Sequence, residues 1–197
     1  MTLHPIIVGI TGASGSIIAQ SLVDELLHRE IPTTVVCSNG GKLVWQDELK
    51  VAFNQNLAEW QEYPMFTYYP ITDLRAPIAS GTYSTGGMVI APCSMNSLAS
   101  ISHGISNNLL LRAADVCLKE KRKLTIVPRE TPLHSIHLEN MLRLSNMGVT
   151  ILPPEPAFYL EPKGVDDIVR FTVSRILVSL GIDTDLPVDL QYQDKAD

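Results

Sequence analysis

The segment from Pro5 to Cys37 constrains the fold more than any other part of the chain. Pro5-Ile6-Ile7-Val8-Gly9-Ile10 is a β-branched run that ends in glycine-rich sequence, and residues 16–29 follow with Ile18, Leu22 and Leu26 at helical spacing beside Val23 and Leu27. Residues 33–37 are β-branched again. A strand, helix and strand in this succession close by a right-handed crossover, which leaves the two strands parallel. The pattern predicts an α/β chain: a single doubly wound domain on a mostly parallel sheet.

The remaining pattern repeats this alternation. Helices are expected over 41–51 and 56–60, with a short strand in the aromatic stretch 63–69. A buried strand over 88–91 is expected to end at Pro92, followed by a helix over 95–103 capped by Ser94 and another over 109–120. A strand over 124–127 closed by Pro128, a helix over 133–146 stopped by Gly148, and a short strand over 149–152 come next. After the Pro-rich loop 153–162, residues 165–180 carry an apolar stripe that ends at Gly181. No internal repeat or interdomain linker interrupts the pattern. The expected organisation is a ligand-binding domain over 1–182 and an acidic tail over 183–197, extended or leaning on a neighbour.

Charge narrows the function classes. The 197 residues hold 15 Lys and Arg against 21 Asp and Glu, a formal charge of −6, and the basic residues are scattered. A nucleic-acid module needs a basic stripe or tail, which is missing here. Charged residues make up 18% of the chain, below the roughly 25% of an average soluble domain, which points to surface buried between copies. No apolar run reaches the length of a membrane span and the N-terminus has no basic region ahead of an apolar core, so the chain reads as cytoplasmic. Cys37, Cys93 and Cys117 are odd in number and widely spaced, without a disulfide or zinc pattern. The five histidines make no metal constellation either, although His134 and His137 lie three apart on an expected helix.

Three strand-to-helix junctions carry the candidate chemistry. Gly9-Ile10-Thr11-Gly12-Ala13-Ser14-Gly15 puts small residues and two hydroxyls at a helix N-terminus, where free N–H groups and the helix dipole favour a phosphate. The same glycines would also serve close packing of helix on strand. Their GxxGxxG spacing, with Cys37-Ser38 where a dinucleotide site wants an acid, argues against NAD and for a phosphate monoester such as FMN. Ala91-Pro92-Cys93-Ser94-Met95-Asn96-Ser97 repeats the device, and Cys93 there reads as a small buried residue more than as a nucleophile. Val127-Pro128-Arg129-Glu130-Thr131-Pro132 sets an Arg and a Glu at the same sheet edge between prolines that fix the backbone. Arg112 and Lys119 share a helix face downstream of Asn107 and Asn108; with Tyr159 and Arg175 they suggest a second phosphate pocket.

With these motifs in this order, the chain resembles the UbiX-type flavin prenyltransferases, formerly described as aromatic acid decarboxylases. Ala79-Ser80-Gly81-Thr82, Asn108-Leu109-Leu110-Leu111-Arg112, Leu118-Lys119-Glu120 and Pro156-Ala157-Phe158-Tyr159 extend the match, which runs from Gly9 to about Gly181. The resemblance implies a flavodoxin-like Rossmann variant that binds FMN without a metal and assembles as a dodecamer built from trimers. The implied reaction joins a dimethylallyl group from dimethylallyl phosphate to N5 and C6 of reduced FMN, giving prenylated FMN for a UbiD-type decarboxylase.

By the same resemblance Gly12, Ala13, Ser14, Ser38, Ser94, Met95, Asn96, Ser97 and Arg129 would hold FMN. Lys119, Glu130, Tyr159 and Arg175 would surround the prenyl phosphate with Arg112 close by, some of them reaching across a subunit boundary. The retained phosphate, Glu130, or a relay through Ser14 could accept the proton lost in ring closure, with Glu48 a further candidate for that relay. Two places depart from the family pattern. Asp73-Leu74-Arg75 stands where an aromatic residue often shields the prenyl group, and Asn96-Ser97 replaces Lys-Thr. Two other classes fit the fold: a flavoprotein decarboxylase acting on a peptidyl cysteine, and a flavodoxin-like FMN electron carrier. The first wants an early catalytic His and a substrate flap, and the second has no use for the cluster of cations.

Overall fold

The structure is a computed structural model that describes residues 4–192. Its elements, in chain order, are β1 (Ile6–Ile10), α1 (Ser16–His28), β2 (Thr33–Cys37), α2 (Asn39–Leu49), α3 (Phe53–Trp60), β3 (Phe66–Tyr68), β4 (Gly87–Cys93), α4 (Met95–Ser102), α5 (Leu109–Lys119), β5 (Leu124–Pro128), α6 (Ser135–Asn146), β6 (Thr150–Ile151) and α7 (Val165–Leu180). The six strands form one sheet in the order β3-β2-β1-β4-β5-β6, and every neighbouring pair is parallel. β1, β2, β4 and β5 are buried along their whole length, as a sheet covered by helices on both faces requires.

Two cores result. On one face α1 and α7 lie against the sheet, with Leu22, Leu26, Val173 and Ile176 buried, and the core continues into an aromatic group of Trp45, Phe53 and Trp60. On the other face α4, α5 and α6 bring Leu98, Leu109, Ala113 and Leu144 against Met88, Ile90 and Ile126. The chain leaves β1 for one face and leaves β4 for the other. The strand order therefore reverses between β1 and β4, and a crevice opens beyond their carboxyl ends.

Most expected elements stand within two or three residues of where the pattern puts them, and the exceptions have local causes. β4 runs through Pro92 to Cys93 instead of stopping at the proline. Pro92 has no N–H for the ladder, and the β4–β5 register shifts between Ile90 and Cys93 to pass it. α2 begins at Asn39 because the Ser38 hydroxyl accepts the Gly41 N–H at 3.0 Å, so Gly40 and Gly41 open a helix that their propensity argues against. α3 begins at Phe53, where the Gln55 side chain accepts the Ala52 N–H at 3.0 Å. α6 starts at Ser135, with Leu133 outside the helix and His134 in extended backbone at its N-cap.

Residues 183–192 fold against their own chain. Arg29 donates to Asp183 at 2.8 Å, a short 3-10 turn spans Val188–Leu190, and Leu190 is buried. Residues 193–197 of the expected tail lie outside the described residues. Among the described residues no helix is long and apolar enough to cross a membrane.

Candidate functional site

The crevice at the strand reversal is built from three junctions that are bonded to one another. The Thr11 hydroxyl, just past β1, donates to the Pro92 carbonyl at 2.8 Å and accepts the Ser94 N–H at 2.7 Å. Ser94 caps α4: its hydroxyl accepts the Ser97 N–H at 3.3 Å and donates to the Ser97 hydroxyl at 3.1 Å. From β5, the Arg129 N–H donates to the Cys93 carbonyl at 3.2 Å. The loops after β1, β4 and β5 are thereby held in a fixed relation along one sheet edge.

Glycines bring a fourth loop in. A Cβ on Gly12 would stand 3.0 Å from the Gly40 carbonyl carbon, and one on Gly41 would stand 2.9 Å from the Ile10 oxygen. Only hydrogens allow the α2 N-terminus, capped by Ser38, to close on the first turn at the mouth of the crevice.

α2 also returns a carboxylate to that mouth. Glu48 accepts the Ser16 N–H at 2.8 Å and the Gly15 N–H at 3.0 Å, and the Ser14 hydroxyl donates to it as well. Partial burial favours the protonated acid, but the bonds from Ser14, Ser16 and Gly15 outweigh it and hold the carboxyl below its ordinary pKa. Glu48 is thus a carboxylate in contact with Ser14 at the crevice mouth. Glu130 is placed differently: it is exposed, and its Oε1 accepts the Thr131 N–H of its own loop at 3.0 Å.

The donor set fits an anionic, hydrogen-bonding aromatic cofactor such as FMN. The Nε of Arg129 is buried without a hydrogen-bond partner, an arrangement costly unless an acceptor is supplied there. Around it the edge offers the hydroxyls of Ser14, Ser38, Ser94 and Ser97, the Asn96 amide, the Ala13 backbone and the thioether of half-buried Met95. The thiols contribute no nucleophile. Burial pushes Cys37 and Cys93 up to about 12 and Cys117 to about 11.

The residues expected around a second phosphate are not gathered within one chain. Arg112 and Lys119 stand on α5, on the face with α4 and α6, whereas Arg175 is on α7 on the opposite face and Tyr159 lies in the loop leading to it. Arg112 donates to the Asp115 carboxylate at 2.6 Å and to the Ala79 carbonyl at 3.1 Å. Lys119 is paired with Glu120, over Gly81. Leu74 is exposed on the segment that Ala76 and Ile78 anchor beneath α5. Tyr159 and Arg175 are both exposed. The His134 and His137 rings stack at 3.5 Å, and among the described residues no group of His, Cys, Asp and Glu could hold a metal ion.

Three functional positions escaped the sequence reading. Thr11 was one of two hydroxyls in a glycine turn, with no sign that it would tie two junctions. Gly40 stands just ahead of the expected 41–51 helix, with nothing in the sequence to mark its approach to Gly12. Arg122, in the run Lys121-Arg122-Lys123, resembles surface charge; it donates to the Gly81 carbonyl at 2.5 Å and the Tyr83 carbonyl at 2.8 Å and so shapes the Ser80-Gly81-Thr82 loop.

Comparison with known proteins agrees with this geometry. The model of the Flavoprotein family matches residues 1–177. The flavin prenyltransferase UbiX of Alkalihalophilus pseudofirmus is 49% identical over 183 residues, covering 89% of this chain and 90% of that protein. A dodecameric FMN-dependent UbiX-like decarboxylase from Escherichia coli O157:H7 superimposes with a TM-score of 0.84 at 43% identity, over 90% of this chain and 94% of its own. A UbiX protein solved in complex with FMN and dimethylallyl pyrophosphate gives a TM-score of 0.89 at 33% identity, with 100% of both chains covered. The doubly wound sheet is of the flavodoxin-like type these structures share.

Proposed function

The chain belongs to the Flavoprotein family, among the UbiX-type flavin prenyltransferases, and from that premise we propose how its residues join a dimethylallyl group to reduced FMN. The observation that carries the assignment of roles is the carboxyl edge of the sheet. The N-termini of α1 and α4, the unpartnered Arg129 Nε and the ionised Glu48 on Ser14 all belong to it.

Reduced FMN, when bound, supplies the electron-rich N5 and C6 atoms that accept the dimethylallyl group. Gly12, Ala13, Ser14, Ser38, Ser94, Met95, Asn96, Ser97 and Arg129 hold it and exclude water. The prenyl phosphate meets Arg175, Lys119, Tyr159 and Arg112, which stabilise the charge that grows on the leaving phosphate as the carbon–oxygen bond of dimethylallyl phosphate breaks. Lys119 exchanges Glu120 for the phosphate in that step. Bonding to C6 would release the C6 proton while the prenyl double bond takes one up, and Ser14, in contact with Glu48, is the group we assign to carry the released proton. We favour Glu48 over Glu130 because it is bonded to Ser14 and to the first turn at the crevice mouth, whereas Glu130 bonds the Thr131 N–H of its own loop.

Assembly completes the site in this reading. Arg112 and Lys119 lie on one face of the sheet and Arg175 on the other, so a phosphate that meets all three sits between chains. α6 leaves Ile136, Leu138 and Leu142 exposed, apolar side chains suited to contact with further copies, and the low overall charge agrees. A dodecamer, as in the Escherichia coli relative, is the proposed form. The proposal includes a cytoplasmic location, supported by three cysteines held as free thiols, and a UbiD-type decarboxylase as recipient of prenylated FMN.

The cysteine decarboxylase and electron-carrier readings gain no supporting observation. The test is reconstitution: a UbiD-type decarboxylase lacking cofactor gains activity when this protein, reduced FMN and dimethylallyl phosphate are supplied together anaerobically. Equal activation when dimethylallyl phosphate is omitted would contradict the reading.

A further inference from the structure

The chain spends its last described residues on a contact with Tyr159. The loop 153–162 that carries this tyrosine is shaped by local bonds: the Glu155 N–H donates to the Pro153 carbonyl at 2.8 Å, Leu160 to Ala157 at 2.9 Å and Glu161 to Phe158 at 3.0 Å. Bonds this local shape the turn without holding it against opening, and they leave the direction of an exposed ring unset. Tyr159 is 51% exposed and Phe158 is 77% exposed.

The segment 187–192 supplies an external anchor. Arg170 of α7 grips Asp189 through two bonds, Nη1 to Oδ2 at 2.5 Å and Nη2 to Oδ1 at 3.1 Å. Leu190 is buried at 7% exposure, and the Gln191 side-chain amide donates to the Leu186 carbonyl at 2.7 Å. Beyond these anchors Tyr192, itself 73% exposed, meets the Tyr159 ring edge-on with centroids 5.9 Å apart and planes at 61°. Between segment and loop lies a cavity of about 260 Å³ bordered by Leu160, Lys163, Phe171 and the Arg170–Asp189 pair. An exposed aromatic side chain held against another at the end of a three-point anchor has no core to fill. What it can do is restrict where the neighbouring ring points.

We propose that segment 187–192 positions Tyr159 for the prenyl phosphate, with Tyr192 as the positioning residue and the Arg170–Asp189 pair as its anchor. This rests on the prenyltransferase reading, in which Tyr159 meets that phosphate. Tyr192 acts through Tyr159 and touches neither flavin nor prenyl donor. Ordering the phenol in advance lowers the entropy lost when the phosphate binds, so the effect falls on donor binding more than on the chemical step.

The test compares full-length Tyr192→Ala, Tyr192→Phe and Asp189→Asn with the wild type. Steady-state kinetics with dimethylallyl phosphate are combined with FMN titration and with hydrogen exchange of the 158–161 amides in the protein without ligands. The expected result is a KM for dimethylallyl phosphate raised about 3- to 10-fold in Tyr192→Ala and Asp189→Asn, the scale of one edge-to-face ring contact, with kcat and FMN affinity near wild type. Amide exchange at Leu160 and Glu161 quickens in the same two variants. Tyr192→Phe keeps wild-type values because the ring contact survives. Unchanged KM and exchange in Tyr192→Ala would overturn the proposal, as would equal loss of FMN affinity and thermal stability in all three variants. A wild type that forms no prenylated flavin would refute the prenyltransferase reading itself, which separates that failure from one confined to Tyr192.

Discussion

The Thr11 hydroxyl accepts the Ser94 N–H at 2.7 Å across 83 positions of sequence. That one oxygen joins the turn after β1 to the turn after β4, and it is buried with Thr11 itself. Thr11→Val keeps the shape and removes both bonds. The Pro92 carbonyl retains the Thr11 N–H at 3.3 Å, whereas the Ser94 N–H is stranded. The expected cost is about 1–3 kcal/mol in denaturant unfolding, with weaker FMN binding, and Thr11→Ser should recover most of both.

Glu48 ties pH to stability and to turnover. Its folded pKa is depressed, so its contribution to stability is present above the ordinary carboxylate value and is lost as pH falls through the lowered one. Glu48→Gln removes that acid-side loss, visible as a flatter fall of melting temperature on acidification. If Glu48 takes the proton from Ser14, Glu48→Gln and Ser14→Ala each slow prenylated-flavin formation by roughly 100-fold at neutral pH, and the double variant is little slower than either.

Arg129 carries a buried Nε that has no partner among the described residues, and in the proposed reading a ligand supplies one. Arg129→Met keeps the apolar stem. The variant should match wild-type stability while FMN affinity, followed by flavin fluorescence, falls roughly 10- to 100-fold, the scale of a charged hydrogen bond.

Arg175 and Lys119 stand on helices on opposite faces of the sheet and should act on the same phosphate only across a subunit boundary. Arg175→Ala and Lys119→Ala are each expected to reduce product formation by roughly 100-fold and to leave FMN binding unchanged. Mixed assemblies of the two variants, formed by dissociating and reassociating them together, should regain measurable activity because some interfaces then combine an intact Arg175 with an intact Lys119. Mixing that restores nothing would place the phosphate within a single chain.

How much of this was legible in the sequence depended on the range of the interaction concerned. The parallel sheet was visible because β-branched runs, glycine turns and amphipathic stretches follow local periodicity, and Ser94 announced the start of α4 through ordinary capping chemistry. Pro92 misled because a register shift absorbs its missing donor, and that shift depends on β5. The α2 start was expected at 41 and stands at Asn39, because the close approach of Gly40 to Gly12 and of Gly41 to Ile10 is a long-range contact.

The site was legible in part, for the same reason. Strand-end junctions can be located from pattern alone, and the resemblance supplied names for their residues. The long-range geometry stayed hidden. Glu48 was offered as a relay candidate, but its bonds to Ser16, across 32 positions, and to Gly15 come from an ordinary helical surface that nothing nearby in sequence marks. Residues 183–192 looked like an acidic tail, yet Asp183 and Asp189 are there to meet Arg29 and Arg170. Opposite charges far apart in sequence become legible as pairs only when the fold brings them together.

The measurement that tests the central claim most directly is the mass of the flavin itself. The protein is incubated anaerobically with reduced FMN and dimethylallyl phosphate, the flavin is extracted under denaturing conditions, and its mass is determined. The account predicts FMN carrying one added five-carbon unit, formed by the wild type and nearly lost in Arg175→Ala. Unmodified FMN that nonetheless bound tightly to the wild type would contradict it: the cradle at the carboxyl edge would stand, and the prenyl transfer would not.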